Sequence, residues 1–244
     1  INRFQKGDLV ANGLKWSGNL DRGLLTGRAT LNEIFGGRVQ LNNLRINLLE
    51  PWPSTQLGVQ VSGLAIEKAV AWAMPQWKDM IRGQAAGQMN MNVAFPKRPD
   101  FIAKTSANGT ARIQNGYLST LKFDQLANEK ISKIPGVGNQ GNLKSGGATA
   151  NIDAQFDFNG SELHLQKFNV ITPERNELLS KGVIRVDKTL DLEGTVYLSD
   201  PPVQGPVREA NSDSSGRLIL SGIKVHGQAM SPQIDIMENT IKDL

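Results

Sequence analysis

The residues best suited to chemistry in this chain are five carboxylates that alternate with apolar residues. They are Asp153, Asp157, Asp191, Glu193 and Asp235. Paired carboxylates can act as acid, base or nucleophile in hydrolysis. Each of these carboxylates, however, falls where any polar residue would fall on the solvent face of a strand. The pattern therefore predicts that these carboxylates lie on a solvent-exposed strand face and form no catalytic pair.

Histidine and glycine offer two further candidate sites, and neither has the neighbours that its chemistry requires. His164 lies on the polar side of a strand pattern and His226 near a strand end, with no nucleophile signature beside either. The stretch 136–141 matches G-x-G-x-x-G, but Pro135 precedes it. A dinucleotide site needs a strand before that motif and a helix after it. We predict a connecting loop there, and no enzyme activity.

Composition excludes several further classes of site. The 244 residues contain no Cys and two His, so disulfides, zinc-thiolate centres and a His-rich metal site are not expected. The net charge of +4 is mild, and the basic residues form no stripe of the kind that nucleic-acid binding needs. We predict no cofactor, no metal and no nucleic-acid partner. The charge is compatible with weak attraction to anionic phospholipid.

The elements that carry these residues are strands with one apolar and one polar face. Strict alternation appears at 151–158, 189–199, 89–95 and 233–236, and alternation with period two is typical of a half-buried strand. Asn115-Gly116, Asn159-Gly160 and Asp187-Lys188 have the composition of hairpin turns. We predict a mainly β fold, a long curved antiparallel sheet shaped as a taco-like or open-barrel groove, with one or two short helices.

Three strand patterns change phase midway, and a phase change of one residue is typical of a β-bulge or of two short strands. The changes fall between Leu41 and Leu44, between Leu165 and Phe168, and between Leu220 and Ile223. Repeated bulges would curl the sheet.

Three segments depart from the strand pattern. Residues 64–81 have apolar residues at helical spacing, which predicts a helix with a kink at Pro75. Trp72 and Trp77 on this helix either pack it against the sheet or form a gate over an apolar groove. Residues 124–134 predict a second short helix. Residues 200–216 are polar and rich in Pro and Ser, which predicts a flexible loop.

The apolar strand faces must be covered by something. A second sheet would make a sandwich, but 14 aromatic residues and 25 Gly provide little bulk for such a core. The alternative is a furrow whose natural occupants are acyl chains. The predicted lining residues are Met89, Met91, Val93, Phe95, Ile152, Ala154, Phe156, Phe158, Leu190, Leu192, Val196, Leu198, Leu218 and Leu220.

Four segments resemble AsmA-like proteins. The hairpin phrase at 182–198 and the closing phrase at 223–236 resemble the C-terminal region of that family, although Gln228 stands where Thr is commoner. Residues 61–92 resemble its short helix followed by a glycine-marked strand, and 111–118 its paired strands. The resemblance implies a bacterial envelope protein in the periplasm, anchored in the inner membrane, with a U-shaped β-groove linked to phospholipid movement.

We therefore expect residues 1–244 to form one β-groove domain, an excised soluble part of a longer envelope protein. The expected function is non-enzymatic binding of phospholipid or another acyl lipid, in lipid transport or outer-membrane biogenesis. Contact with the inner or outer membrane would run through segments outside this chain, because no run of 18 apolar residues occurs within it. The alternative is an assembly component, such as a type II secretion N-type protein, that recruits an envelope partner through a free strand edge.

Overall fold

Strands make up most of the computed structural model, which describes residues 2–6, 9–73, 75, 78, 81–94, 100, 102–118, 150–199, 205–229 and 231–236. The thirteen strands of this part are β1 (Arg3–Lys6), β2 (Leu9–Asp21), β3 (Leu24–Ile34), β4 (Gly37–Asn47), β5 (Thr55–Ala65), β6 (Ile81–Val93), β7 (Ser106–Leu118), β8 (Ala150–Phe158), β9 (Glu162–Ile171), β10 (Glu177–Arg185), β11 (Thr189–Leu198), β12 (Leu218–Gln228) and β13 (Ser231–Ile236). Two short helices, α1 (Ile66–Ala73) and α2 (Pro206–Ala210), complete the described elements.

The strands form one open antiparallel sheet in which spatial order equals chain order, from β1 to β13. Each strand pairs only with its neighbours in the sequence, and β1 does not pair with β13. The prediction of a mainly β fold with a long antiparallel sheet and one or two short helices is confirmed. An antiparallel meander brings alternate turns to the same end of the sheet. We call the end that carries the β2–β3 and β4–β5 turns the tip end, and the opposite end the helix end, because α1 follows β5 there.

The hydrophobic core is organised in rows of residues that lie directly opposite one another on successive strands. One row crosses eight strands, from β5 to β12, and every member is buried. Its members are Leu64, Ala85, Ile113, Ile152, Val170, Leu178, Val196 and Leu220. Directly opposed side chains are the contacts that stabilise a sheet laterally, so this row ties the central and C-terminal strands together.

The bulges expected from the phase changes are present. Register shifts occur between Asn42 and Arg45 on β4, between Leu165 and Phe168 on β9, and between Leu220 and Ile223 on β12. Register shifts occur in eight of the twelve strand pairs. Because each bulge bends its strand and increases the local twist, such a sheet is curved.

Two turn predictions are confirmed and one is wrong. Asn159-Gly160 connects β8 to β9, and Asp187-Lys188 connects β10 to β11. Asn115-Gly116 is not a hairpin turn: it lies inside β7, where Asn115 has φ 51° and the pairing with β8 shifts. The positive φ that Asn and Gly tolerate serves a bulge here instead of a turn.

The predicted helix over 64–81 is much shorter in the structure. Strand β5 continues to Ala65, α1 ends at Ala73, and β6 begins at Ile81. The apolar residues at the start of the pattern, Leu64 and Ala65, pair with β6 instead of joining the helix. The predicted helix over 124–134 and the loop over 136–141 lie outside the described residues.

The described residues of the segment 200–216 are held by specific contacts. Helix α2 begins after Gly205, and Asp213 accepts hydrogen bonds from the backbone nitrogens of Ser215 and Arg217. The Arg217 guanidinium bonds Asp213 and, at 2.8 Å, Glu177 on β10, and it lies 4.7 Å from the centroid of the Tyr197 ring. This cluster fastens the connection between β11 and β12 to the helix end of the sheet.

Candidate apolar groove

Thirteen of the fourteen predicted lining residues lie within the described residues, and all thirteen point to the same face of the sheet. The register places Met89, Gly109 and Phe156 opposite one another, with Met91, Ala107 and Phe158 as the next row. The pairing continues from Phe156 through Leu165 and Gly182 to Leu192 on β11. The same face therefore carries the predicted leucines and Val196 on β11 and β12. Phe95 lies outside the described residues. We call this surface the apolar face.

One row on the apolar face spans twelve strands without a polar residue. It contains Trp16, Ala29, Leu41, Val59, Met89, Gly109, Phe156, Leu165, Gly182, Leu192, Val225 and Ile234, on β2 to β13. We call it the Met89 row. The sequence of one strand determines only which of its residues share a face. The pairing register determines which residues lie opposite one another on neighbouring strands. Here every register shift preserves the apolar row.

Burial divides the apolar face into a closed and an open part. On β9 to β12 the row members Leu165, Leu192 and Val225 are buried, and Leu198, Leu218 and Leu220 are fully buried. On β4 to β8, seven apolar side chains on the tip side of the buried row are partly exposed. We call this set the open stretch: Leu41, Leu57, Val59, Met89, Met91, Phe156 and Phe158. Ile152 on β8 and most of the predicted lining residues on β11 and β12 are therefore core, and the surface available to a ligand lies on the tip side of the central strands.

Neighbouring strands are more crowded on the apolar face than on the polar face. A Cβ added at Gly109 would collide with the Gln88 carbonyl oxygen and lie 2.7 Å from the Cα of Met89. At Gly58, whose side-chain position faces the polar side, the nearest atoms would be 3.6 Å away. Bending a sheet brings groups on its inner side together, and glycine permits that approach. The crowding is what a sheet curved toward its apolar face produces.

Helix α1 lies beside the apolar face at the helix end. Ile66 and Ala69 pack against the hydrophobic core, and the Glu67 carboxylate accepts a hydrogen bond from the Gly83 backbone nitrogen at 3.2 Å. Trp72 is half-exposed, with its ring 6.1 Å from the Phe35 ring at 49°. Trp77, the second predicted gate residue, lies outside the described residues. The helix therefore covers β5 and β6 at the helix end of the sheet. Its contacts do not extend over the open stretch.

The carboxylates on the polar face form dispersed pairs. Asp153 binds Arg112 at 2.6 Å, which raises the pKa of that arginine, and Asp157 accepts a hydrogen bond from Gln166. Asp191 lies 3.5 Å from Lys224, and His226 lies 2.8 Å from Asp235. Sequence reasoning missed these cross-strand pairs because register is not visible in one strand alone. Among the described residues no three metal-ligating side chains converge.

The polar face also carries a shallow depression of about 480 Å³ near the tip end. Its lining includes amide side chains such as Asn90 and Asn92 together with Arg45 and Asp157. Residues whose side chains belong to the apolar face also contribute to the lining: Leu57, Met91, Ala107 and Phe158. Asn92 Oδ1 is buried there without a hydrogen-bond donor. The lining also contains the hydroxyl of Ser106, so the depression offers polar groups of several kinds for contacts with a ligand.

No family model matches this chain, and neither a curated protein nor a solved structure is significantly similar to it. The resemblance to AsmA-like proteins therefore stays a prediction. Within the described part of the chain, neither helix has the length and apolar character needed to cross a bilayer.

Proposed function

We propose that this chain is a non-enzymatic domain that binds the acyl chains of phospholipid or a similar lipid on the apolar face. The observation that supports this proposal is the Met89 row, which stays apolar over twelve strands yet is partly exposed on β4 to β8. Partly exposed apolar surface of this continuity is typical of a binding surface. The proposed setting is the periplasm, with a role in lipid transport or outer-membrane biogenesis and an inner-membrane anchor outside this chain.

The dimensions of the open stretch suit hydrocarbon. Five strands at about 4.8 Å spacing make a surface about 19 Å across. The acyl chains of one bilayer leaflet span about 15 Å, half of the hydrocarbon core. Burial of each methylene stabilises the complex by about 0.8 kcal/mol, and Met89 and Met91 supply flexible side chains that adapt to irregular ligands. Lipid head groups would remain in water at an end of the groove.

The proposal is tested by the lipid that accompanies the protein. We expect phospholipid in stoichiometric amount when natively purified protein is extracted with organic solvent and analysed by mass spectrometry. The variant Met91→Glu should lose most of this lipid because it places a carboxylate on the open stretch. Asn90→Glu is the matched control, since Asn90 is next to Met91 on β6 and its side chain therefore points to the opposite, polar face.

Two results would contradict lipid binding. One is native protein that carries no lipid and takes up none from added vesicles. The other is equal lipid content in Met91→Glu and Asn90→Glu, which would show that the lipid does not bind on the apolar face.

The second candidate function is an assembly module, for example a type II secretion N-type component. The observation that favours it is that β1 and β13 each have a partner strand on one side only, within the described residues. An unpaired edge can accept a strand from another protein. Benzoylphenylalanine in place of Gln233 on β13 would then give a specific photo-crosslink to one envelope protein, while the purified protein itself would carry no lipid.

A further inference from the structure

Five of the ten large apolar side chains that are exposed among the described residues belong to β2 and to the segment that joins β4 to β5 at the tip end. Leu49 is 75% exposed, Leu20 59%, Leu48 50%, Trp52 49% and Trp16 48%. We call these five side chains the tip patch. Together they expose on the order of 500 Å² of apolar surface, at the upper end of what a monomeric protein shows.

Glycines allow close contacts at the tip end. A Cβ added at Gly23 would lie 2.8 Å from Leu49 Cδ2, so the Leu49 side chain rests on the β2–β3 turn. The Leu48 backbone nitrogen donates to the Gly23 carbonyl oxygen at 2.8 Å and joins the two segments. The indole of Trp16 extends over Gly18 and Gly27 toward the tip. The segment that carries Leu48 and Leu49 is therefore packed on the β2–β3 turn.

Three basic residues lie near the tip end, with Arg28 and Arg45 on the polar face of the sheet. Arg22 lies in the β2–β3 turn, Arg28 on β3 and Arg45 on β4, all within six residues of the tip along the chain. None of the three forms an ion pair with a described residue. Of the nearby acids, Glu50 accepts a hydrogen bond from the Asn47 side chain at 2.9 Å, and Asp21 is exposed. Three unpaired cations therefore remain available to an anionic surface.

We propose that the tip end docks on an anionic phospholipid bilayer, with the tip patch in the interfacial layer and the arginines at the phosphate groups. Leu and Trp side chains near a sheet end that also carries Arg have the composition of an interfacial anchor. A turn end of five side chains is also too small for a specific protein interface, which buries about 800 Å² on each partner. Docking does not depend on the groove, although Trp16 belongs to both the tip patch and the Met89 row.

Co-sedimentation with vesicles tests the docking. We expect the 244-residue protein to bind vesicles of phosphatidylethanolamine with phosphatidylglycerol, and to bind phosphatidylcholine vesicles more weakly. The double variant Leu48→Ser/Leu49→Ser should reduce the partition coefficient about tenfold because it removes two exposed leucines of the tip patch. Val186→Ser is the matched control: Val186 is 55% exposed in the β10–β11 turn at the same end, five strands from β5, and its loss should leave binding unchanged.

Three outcomes would overturn the proposal. The first is no binding to anionic vesicles, and the second is an equal loss of vesicle binding in the Val186→Ser control. The third is a dimer in analytical ultracentrifugation that Leu49→Glu dissociates, which would assign the patch to a second copy of the chain. Thermal unfolding of each variant verifies that the fold is intact. Lipid extracted from the purified protein reports on the groove alone, so the groove and the docking surface can fail separately.

Discussion

Met89 and Gly109 lie directly opposite each other on β6 and β7, and a Cβ added at Gly109 would stand 2.7 Å from the Cα of Met89. The two strands therefore meet on the apolar face at a separation that admits only a hydrogen at position 109. This contact lies in the open stretch, where the proposed ligand would rest. The backbone geometry that shapes the groove is thus fixed by the absence of a side chain.

A single added methyl group tests this crowding. We expect Gly109→Ala to lower the free energy of unfolding by about 1–3 kcal/mol, because the methyl forces β6 and β7 apart. Gly58→Ala, in the same sheet but on the polar face, should leave stability unchanged or raise it, since alanine reduces the freedom of the unfolded chain. Urea titration measures both. Equal effects at the two positions would show that the apolar side is not the crowded one.

Truncation in the closed part of the sheet should be far more costly than truncation at the surface. Leu220 ends the buried row that begins at Leu64 and is fully buried. We expect Leu220→Ala to cost about 2–5 kcal/mol through lost burial and a residual cavity. The exposed Val186 should tolerate alanine within about 0.5 kcal/mol. A small cost at Leu220, measured by the same urea titration, would indicate that this region is loosely packed.

Asp213 should make stability depend on pH in the acid range. Hydrogen bonds from the Ser215 hydroxyl, and from the backbone and guanidinium of Arg217, hold the pKa of Asp213 well below its usual value. Because the folded-state pKa is depressed, the stabilisation is fully present above the unfolded-state pKa of about 4 and is lost as pH falls toward the folded value. The stability difference between the protein and Asp213→Asn should therefore shrink below about pH 4. A difference that stays constant from neutral pH down to about pH 2 would contradict this.

Photo-crosslinking should separate the two faces of β8. Benzoylphenylalanine at Phe156, in the open stretch, should form adducts with phospholipid that are detectable by mass spectrometry. The same group at Gln155 faces the polar side and should form few or none. Adducts at both positions in equal yield would place the lipid elsewhere.

The local features of this fold were predictable because they are written in short segments. Alternation at 151–158 assigns Ile152, Ala154 and Phe156 to one face, and the phase change between Leu41 and Leu44 marks a bulge. Asn115-Gly116 was misassigned because the same two residues suit a turn and a bulge, and only the pairing with β8 distinguishes them.

Features that depend on distant residues were not predictable. The contact between Arg217 and Glu177 joins residues 40 positions apart. The division of the apolar face into closed and open parts depends on what packs over each strand, since Leu192 and Met89 look equivalent in sequence but differ in burial. The tip patch arises because the β2–β3 and β4–β5 turns come together at one end.

The meander order of the sheet makes its length adjustable. Because each strand touches only its neighbours in the chain, inserting or deleting one hairpin changes the width of the sheet by about 10 Å and leaves the remaining pairings intact. A single inserted strand would instead reverse the direction of every later strand, so that each later turn would move to the opposite end of the sheet. The structure therefore behaves as an array whose unit is the hairpin, and the capacity of its apolar face can grow or shrink in steps of two strands without a new fold.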